Sequence, residues 1–196
     1  MNKERVDHAG RLSQDILLTP LALEHADDMF RWMQDTEVSS NIGLRSEPSL
    51  EKTRAWIHSA IDDPQIRAYA VLLRRQHVGN VIFDRLDNHL ANARMSMYIG
   101  DPSARGTGVG TAALRLALVE AFESLSLHKV WLTVHVRNVA AIRTYLKVGF
   151  VPEGILRDEF RLQGQLIPVF YMGILREEFQ RWHVDASRSA TVHRIP

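Results

Sequence analysis

A single mixed α/β (α+β) domain, with strands and helices in irregular rather than strict alternation, is the fold class this sequence predicts. Three observations carry it. Apolar residues switch between a period of two and a period near 3.6, in the order strand, two helices, three strands, helix, strand, helix, two strands. A chain of 196 residues is about one domain long and can bury roughly 70% of its unfolded surface. No internal repeat, low-complexity block or Gly/Ser linker divides it. One domain over 15–183 is expected, with flexible ends at 1–14 and 184–196, where the composition turns polar.

Each element has its own signal. Ile16 to Leu21 alternates weakly, and Met29, Phe30 and Met33 share one face of a helix near Glu24 to Gln34. Gly43 to Pro48 reads as a loop. Ser49 can cap a helix reaching about Asp62, with Leu50, Ala55, Trp56 and Ile57 as its apolar members and Asp63-Pro64 as its stop. Tyr69 to Leu73 and Val78 to Phe83 form a hairpin around Arg74 to His77, and Arg94 to Ile99 follows as the third strand of that group. Gly108 to Leu125 is the longest helix, striped by Leu114, Leu118, Ala121, Phe122 and Leu125. Val130 to Val136 alternates cleanly, with Trp131, Thr133 and His135 on the second face. A helix follows Asn138 and stops at Gly149; Phe150 to Leu156 and Leu166 to Leu175 are the last strands.

Composition excludes several functions. Hydrophobic residues are 45% and charged residues 24%, and 24 Lys+Arg against 23 Asp+Glu leave a formal net charge of +1. No basic field is expected that would hold nucleic acid by counterion release. There is no Cys, which excludes a disulfide framework, a thiolate metal site and a Cys nucleophile. The nine His residues lack His-x-x-x-His or His-Glu-x-x-His spacing, so no metal is expected. No apolar run approaches the roughly 18 residues of a membrane span. Met1 to Leu18 also lacks the apolar core of a signal peptide, so a cytoplasmic protein is expected.

The sharpest local feature is Arg105-Gly106-Thr107-Gly108-Val109-Gly110-Thr111, between a strand and the longest helix. Glycines let backbone N–H groups converge on an anion, and a helix start adds free donors and partial positive charge. Pyrophosphate is the natural guest. A dinucleotide fingerprint would need Gly or Ala where Thr111 stands, and a Walker loop would need Gly-Lys-Ser/Thr, which does not occur. Arg-x-x-Gly-x-Gly remains, met by Arg105, Gly108 and Gly110. Glycines that merely end a strand before a helix would leave the same trace.

A second segment lies downstream: Asn138-Val139-Ala140-Ala141-Ile142-Arg143-Thr144-Tyr145-Leu146-Lys147-Val148-Gly149-Phe150. The two together resemble the Gcn5-related N-acetyltransferase (GNAT) family, over about Ile16 to Phe179. The ending, from Glu153-Gly154 to Gly173-Ile174-Leu175-Arg176-Glu177-Glu178, is similar to the branch with ribosomal-protein, spermidine and amino-sugar N-acetyltransferases. The resemblance implies a twisted, mostly antiparallel sheet of about seven strands flanked by about four helices. It implies acetyl-CoA as co-substrate, with pyrophosphate on the amides of Arg105 to Thr111 and the pantetheine arm along Met97, Tyr98 and Ile99. Asn138 and Ala141 would touch that arm, and Tyr145 would protonate the leaving thiolate. Asn138 serves equally well as a helix cap, and Tyr145 as a packed aromatic over Ala141.

The general base stays open at this level. The places where relatives carry acids hold Arg94 and Thr133 here; Ser96, His135, Glu47, Asp84 and water are the alternatives. Without Cys, direct transfer in a ternary complex is the economical mechanism. The acceptor is expected between about Met29 and Trp56 on one side and Phe160 to Pro168 on the other. A small-molecule primary amine, an amino sugar among the choices, is the first expectation; Asn92-Ala93-Arg94 through Asp101 and Leu127-His128-Lys129 resemble that subgroup. A protein N-terminal α-amine and a non-catalytic acyl-CoA sensor are the rivals, and a homodimer is compatible with all of them.

Overall fold

The structure, a computed structural model, describes residues 15–181. The expected flexible ends at 1–14 and 184–196, and Trp182, lie outside those residues. β1 (Ile16–Pro20) leads through a 3-10 turn (Leu23–His25) to α1 (Ala26–Met33), α2 (Thr36–Asn41) and α3 (Leu50–Asp62). Then come β2 (Arg67–Leu73), β3 (Gln76–Asp87) and β4 (Asn92–Ile99). α4 (Val109–Val119), β5 (Lys129–His135), α5 (Val139–Val148), β6 (Val151–Leu162) and β7 (Gln165–Leu175) complete the order, and 176–181 is helical.

The strands form one seven-stranded sheet in the order β1-β2-β3-β4-β5-β7-β6. Every neighbouring pair is antiparallel except β4 with β5. The expected mixed, mostly antiparallel architecture is therefore met. Alternation along the strands sends Val81, Phe83, Met95, Val130 and Leu132 to one face, where they pack with Leu114 and Leu118 of α4 and Tyr145 and Val148 of α5. Ala70 faces the other way, with Met29 of α1 and Ile57 of α3.

Local chemistry accounts for most boundaries. The Ser49 hydroxyl accepts the Lys52 N–H and opens α3 as expected. Asn138 Oδ1 accepts the Ala141 N–H at 3.1 Å, and Gly149 closes α5 at φ 104°. Phe150 N–H then reaches back to Tyr145 O at 3.1 Å, the long bond of a left-handed helix stop.

The departures have physical causes. The buried face of α3 is Thr53, Ile57 and Ala60, so Ala55 and Trp56 are not core members; Trp56 flanks that stripe and is 36% exposed. The β2–β3 turn is only Arg74-Arg75, at φ 50° and 68°, with Gln76 and His77 already in β3. The type I′ two-residue turn needs positive φ at both positions, and Arg74 holds it by bonding Asp15 through its N–H (2.8 Å) and its Nε (2.9 Å). The longest helix ends its α-form at Val119 and winds one π-turn over Glu120–Ser124, where Glu120 accepts from the Tyr69 and Ser124 hydroxyls. α2 is an unexpected helix, set off because Asp35 caps the Glu37 N–H at 2.9 Å. β6 runs on to Leu162, past its expected end.

Gly100, just after β4, lies under the Trp32 ring: a Cβ there would stand 2.0 Å from Trp32 Cδ2. Trp32 is itself 4% exposed and has little room to retreat. Gly100→Ala is therefore expected to cost about 1–3 kcal/mol by overpacking. In a chain of this size that lowers Tm by several degrees, at roughly 2–4 °C per kcal/mol. An unchanged melting curve would show that the indole swings aside freely.

Candidate active site

The site begins as a defect in the sheet. β4 and β5 pair only over Asn92↔Lys129, Ala93↔Val130 and Arg94↔Trp131. Beyond Arg94, β4 is paired to β3 alone and β5 to β7 alone. The β4 edge through Met97, Tyr98 and Ile99 therefore faces a splay and lacks a ladder partner on that side. Its Ile99 carbonyl is nonetheless engaged, since Arg105 Nε donates to it at 3.0 Å.

At one end of the splay lies the glycine loop. Gly106 (φ 73°) and Gly108 (φ 96°) occupy the left-handed region, where a side chain would be strained. A Cβ on Gly106 would meet no heavy atom within 4 Å, so the loop is open on that side. No side chain caps α4, and Ala112 is the first residue whose N–H reaches back, to Gly108 O at 3.1 Å. The N–H groups of Val109, Gly110 and Thr111 are thus the unpaired donors of a helix start. A Cβ on Gly110 would lie 3.6 Å from Ile99 and 3.9 Å from Met97, so loop and strand edge form one continuous surface. The Thr107 hydroxyl donates to Ala104 O at 2.7 Å and holds the turn. An anionic diphosphate with an extended amide-bearing arm, the shape of coenzyme A, fits this cradle and edge.

The Arg105 side chain does a different task from its neighbours' amides. Its guanidinium bonds Ile99 O, Gly100 O (2.8 Å), Asp35 Oδ2 (2.9 Å) and Glu37 Oε2 (3.3 Å). It clamps the glycine loop to the start of α2. The same hydrogen bond is the main reason the Asp35 carboxyl is held below the usual carboxylate range.

Tyr145 is 8% exposed on α5, with its ring 5.6 Å from Phe150. Burial pushes its phenol up to about 12. Asn138 is a cap, as its bond to Ala141 shows, and Ala141 itself is half-buried beside the core.

The opposite face of the sheet carries Ser96 and Tyr98 of β4 and Trp131, Thr133 and His135 of β5. Trp131 stacks on Tyr171 at 5.0 Å. Tyr98 Oη accepts from Asn80 Nδ2 at 2.8 Å, and Asn80 Oδ1 lies 3.1 Å from His77 Nε2, whose Nδ1 lies 3.2 Å from Asp28. Asp84 is locked to Arg94 through two bonds, the Nε one at 2.8 Å, and Glu47 sits in an exposed loop.

His135 is 5% exposed. Its Nε2 lies 2.8 Å from Asn41 Oδ1 at the end of α2, and its ring stacks on Phe160 of β6 at 5.1 Å. Gly43 backs the same ring: a Cβ there would come 2.9 Å from Phe160. The early helices and the last hairpin thus meet beside the splay, where the acceptor is expected. Pro168 sits in β7 where 157–159 of β6 have no β7 partner, so its missing N–H costs no ladder bond there. Sequence reasoning missed Asn41 because it missed α2; Asp35-Thr36-Glu37, a capping residue followed by an acidic first turn, was the available signal.

Among the described residues, no group of three or more His, Cys, Asp or Glu could hold a metal ion, and no helix is long and apolar enough to cross a membrane. Residues 15–151 match the model of the acetyltransferase (GNAT) domain. The chain is 34% identical over 96 residues to spermidine N(1)-acetyltransferase of Escherichia coli K12, covering 49% of this chain and 52% of that enzyme. It is 23% identical over 172 residues to the uncharacterized N-acetyltransferase p20 of Bacillus licheniformis, covering 85% and 96%. The fold matches spermidine N-acetyltransferase from Vibrio cholerae, solved with CoA and spermine, at a TM-score of 0.80 and 24% identity, over 85% of this chain and 99% of that one.

Proposed function

Since the chain belongs to the GNAT acetyltransferase family and is an N-acetyltransferase using acetyl-CoA, we propose that it acetylates the primary amine of a small molecule by direct transfer. The observation that carries this is the splay between β4 and β5, with the glycine cradle at one end and His135, Asn41 and Phe160 gathered beside it. In this reading the amides from Arg105 to Thr111, those of Gly106, Thr107, Gly108, Val109 and Gly110 between them, receive the diphosphate. The free edge of Met97, Tyr98 and Ile99 receives the arm, beside Asn138 and Ala141. An edge amide near Tyr98 or Ile99 donates to the thioester oxygen as charge gathers there, which can be worth about 3–4 kcal/mol. Tyr145 supplies the proton to the departing sulfur.

We favour a singly charged, polar acceptor such as an amino sugar. Several acidic groups of the early helices and of β3 are engaged in ion pairs: Asp84 with Arg94, Asp35 and Glu37 with Arg105, and Asp28 with Arg31. A polyamine carries several cations and needs free carboxylates to hold them. The spermidine acetyltransferases among the relatives favour the polyamine as a second reading. Thiol release from acetyl-CoA, followed over glucosamine, spermidine and peptides with free N-termini, decides. Faster turnover of glucosamine than of spermidine is the expected result. CoA binding without turnover of any amine would make the chain an acyl-CoA sensor instead.

A further inference from the structure

The end of β5 beside the splay holds a group that the reading above leaves idle. His135 has its Nε2 2.8 Å from Asn41 Oδ1, an atom that only accepts, so Nε2 carries the ring proton. Nδ1 then bears a lone pair. That nitrogen is buried and has no hydrogen-bond partner, the one such side-chain atom among the described residues. Buried polar atoms in native proteins nearly always have a partner, and those that do not mark functional positions often enough to need an explanation. Here the orphan stands at the end of β5, where the strand has parted from β4.

We propose that His135 is the general base of the transfer and that Asn41 is the residue that positions it. Resting on the acetyltransferase reading, the step is as follows. An N–H bond of the acceptor ammonium breaks and its proton passes to His135 Nδ1, giving an imidazolium. The freed nitrogen pair forms the C–N bond to the acetyl carbonyl, the C–S bond breaks and the sulfur takes the Tyr145 proton, while a second N–H bond breaks and its proton returns by way of water to the Tyr145 phenolate. Water then removes the proton from His135. In sum, ammonium and acetyl-CoA give amide, CoA thiol and one proton.

The surroundings suit a base that is neutral at pH 7. The elements packed against the ring present an amide, Asn41 of α2, and a hydrocarbon, Phe160 of β6. Its strand neighbours Thr133 and Val134 and its cross-strand partner Val169 are uncharged. Arg137 is the charged neighbour, and together with burial, the larger cause, it lowers the His135 pKa below the ordinary 6.5. Asn41 fixes which nitrogen is free, the service that a second hydrogen bond commonly performs for catalytic histidines. Phe160 covers the ring, so the acceptor gains Nδ1 by shifting Phe160.

Two measurements test this. The first needs no acceptor: in the ¹⁵N-histidine spectrum of the full chain at pH 7.5, His135 should show a bare Nδ1 and a protonated Nε2. A protonated Nδ1 overturns the proposal. The second is the pH dependence of kcat/KM with acetyl-CoA and glucosamine, and with spermidine. The parent should rise with pH through a limb below 6.5 and then stay level. His135→Gln should lose roughly 10²-fold at pH 7 and climb instead toward the amine's own pKa, with acetyl-CoA affinity unchanged. His135→Ala should behave alike and regain activity with added imidazole. A His135→Gln enzyme that keeps the parent's profile, or one that loses activity at every pH in equal proportion, overturns the assignment and leaves the ring a wall. Loss of acetyl-CoA binding in the parent would instead defeat the acetyltransferase reading itself, which the nitrogen spectrum does not touch.

Discussion

Tyr145→Phe is expected to lower kcat by about 10²-fold or more and to leave the Kd for acetyl-CoA nearly unchanged. The substitution removes one oxygen and keeps the ring that packs 5.6 Å from Phe150, so α5 and the core beneath it stay in place. In the proposed role, what disappears is the proton donor for the leaving thiolate. Burial holds that phenol protonated up to about 12, so the acid form is present throughout the working range. The sign follows directly: activity should show no alkaline limb from Tyr145 below about pH 10, its unperturbed pKa. The same raised pKa means that the buried phenol's contribution to stability is complete below pH 10 and fades as pH climbs toward 12. Measuring kcat at saturating acetyl-CoA and amine, with chemistry rate-limiting, checks the first expectation. A parental kcat in Tyr145→Phe would return Tyr145 to the packed aromatic that the sequence alone equally allows.

Gly106→Val is expected to weaken acetyl-CoA binding by roughly 10- to 100-fold, the worth of one lost hydrogen bond to a charged group. Nothing stands within 4 Å of the added Cβ, so the core is untouched; on the proposed reading, the side chain enters the space that the diphosphate would take. The φ of 73° adds backbone strain of about 1–2 kcal/mol for a residue with a Cβ, felt mainly within the loop. S-acetylpantetheine, which ends before the diphosphate, separates the two effects. Its binding should be the same in parent and variant. Equal weakening of both ligands would show that the substitution had deformed the strand edge rather than blocked the phosphates.

Residues close in sequence were legible in advance. Asn138 and Gly149 bracket α5, and Ser49 opens α3, because capping bonds and left-handed stops are made within a few residues. The clean alternation of β5 foretold its two faces for the same reason. α2 was legible only through its Asp35 cap, since much of what holds it comes from afar: Arg105 grips Asp35 and Glu37, and His135 grips Asn41. The hairpin was expected at Arg74 to His77, but its two-residue length escaped, because an ion pair with Asp15 replaces the glycine or asparagine that normally announces so tight a turn. Trp56 was misplaced because a hydrophobic residue on a helix flank reads like one on the stripe until a neighbour exists to bury it.

By itself the sequence determined the order of elements apart from α2, the glycine-rich helix start and the tyrosine helix, and with them a family. It could say nothing of the partner each side chain would meet. Only the tertiary structure decided that Arg105 is a clamp, that Asp84 is neutralised by Arg94, and that His135 keeps one nitrogen free. The physical reason is range. Backbone periodicity, caps and stops are settled by interactions over a turn or two of chain, whereas the protonation state and hydrogen bonding of a side chain depend on groups that only the closing of the sheet brings within 3 Å or so.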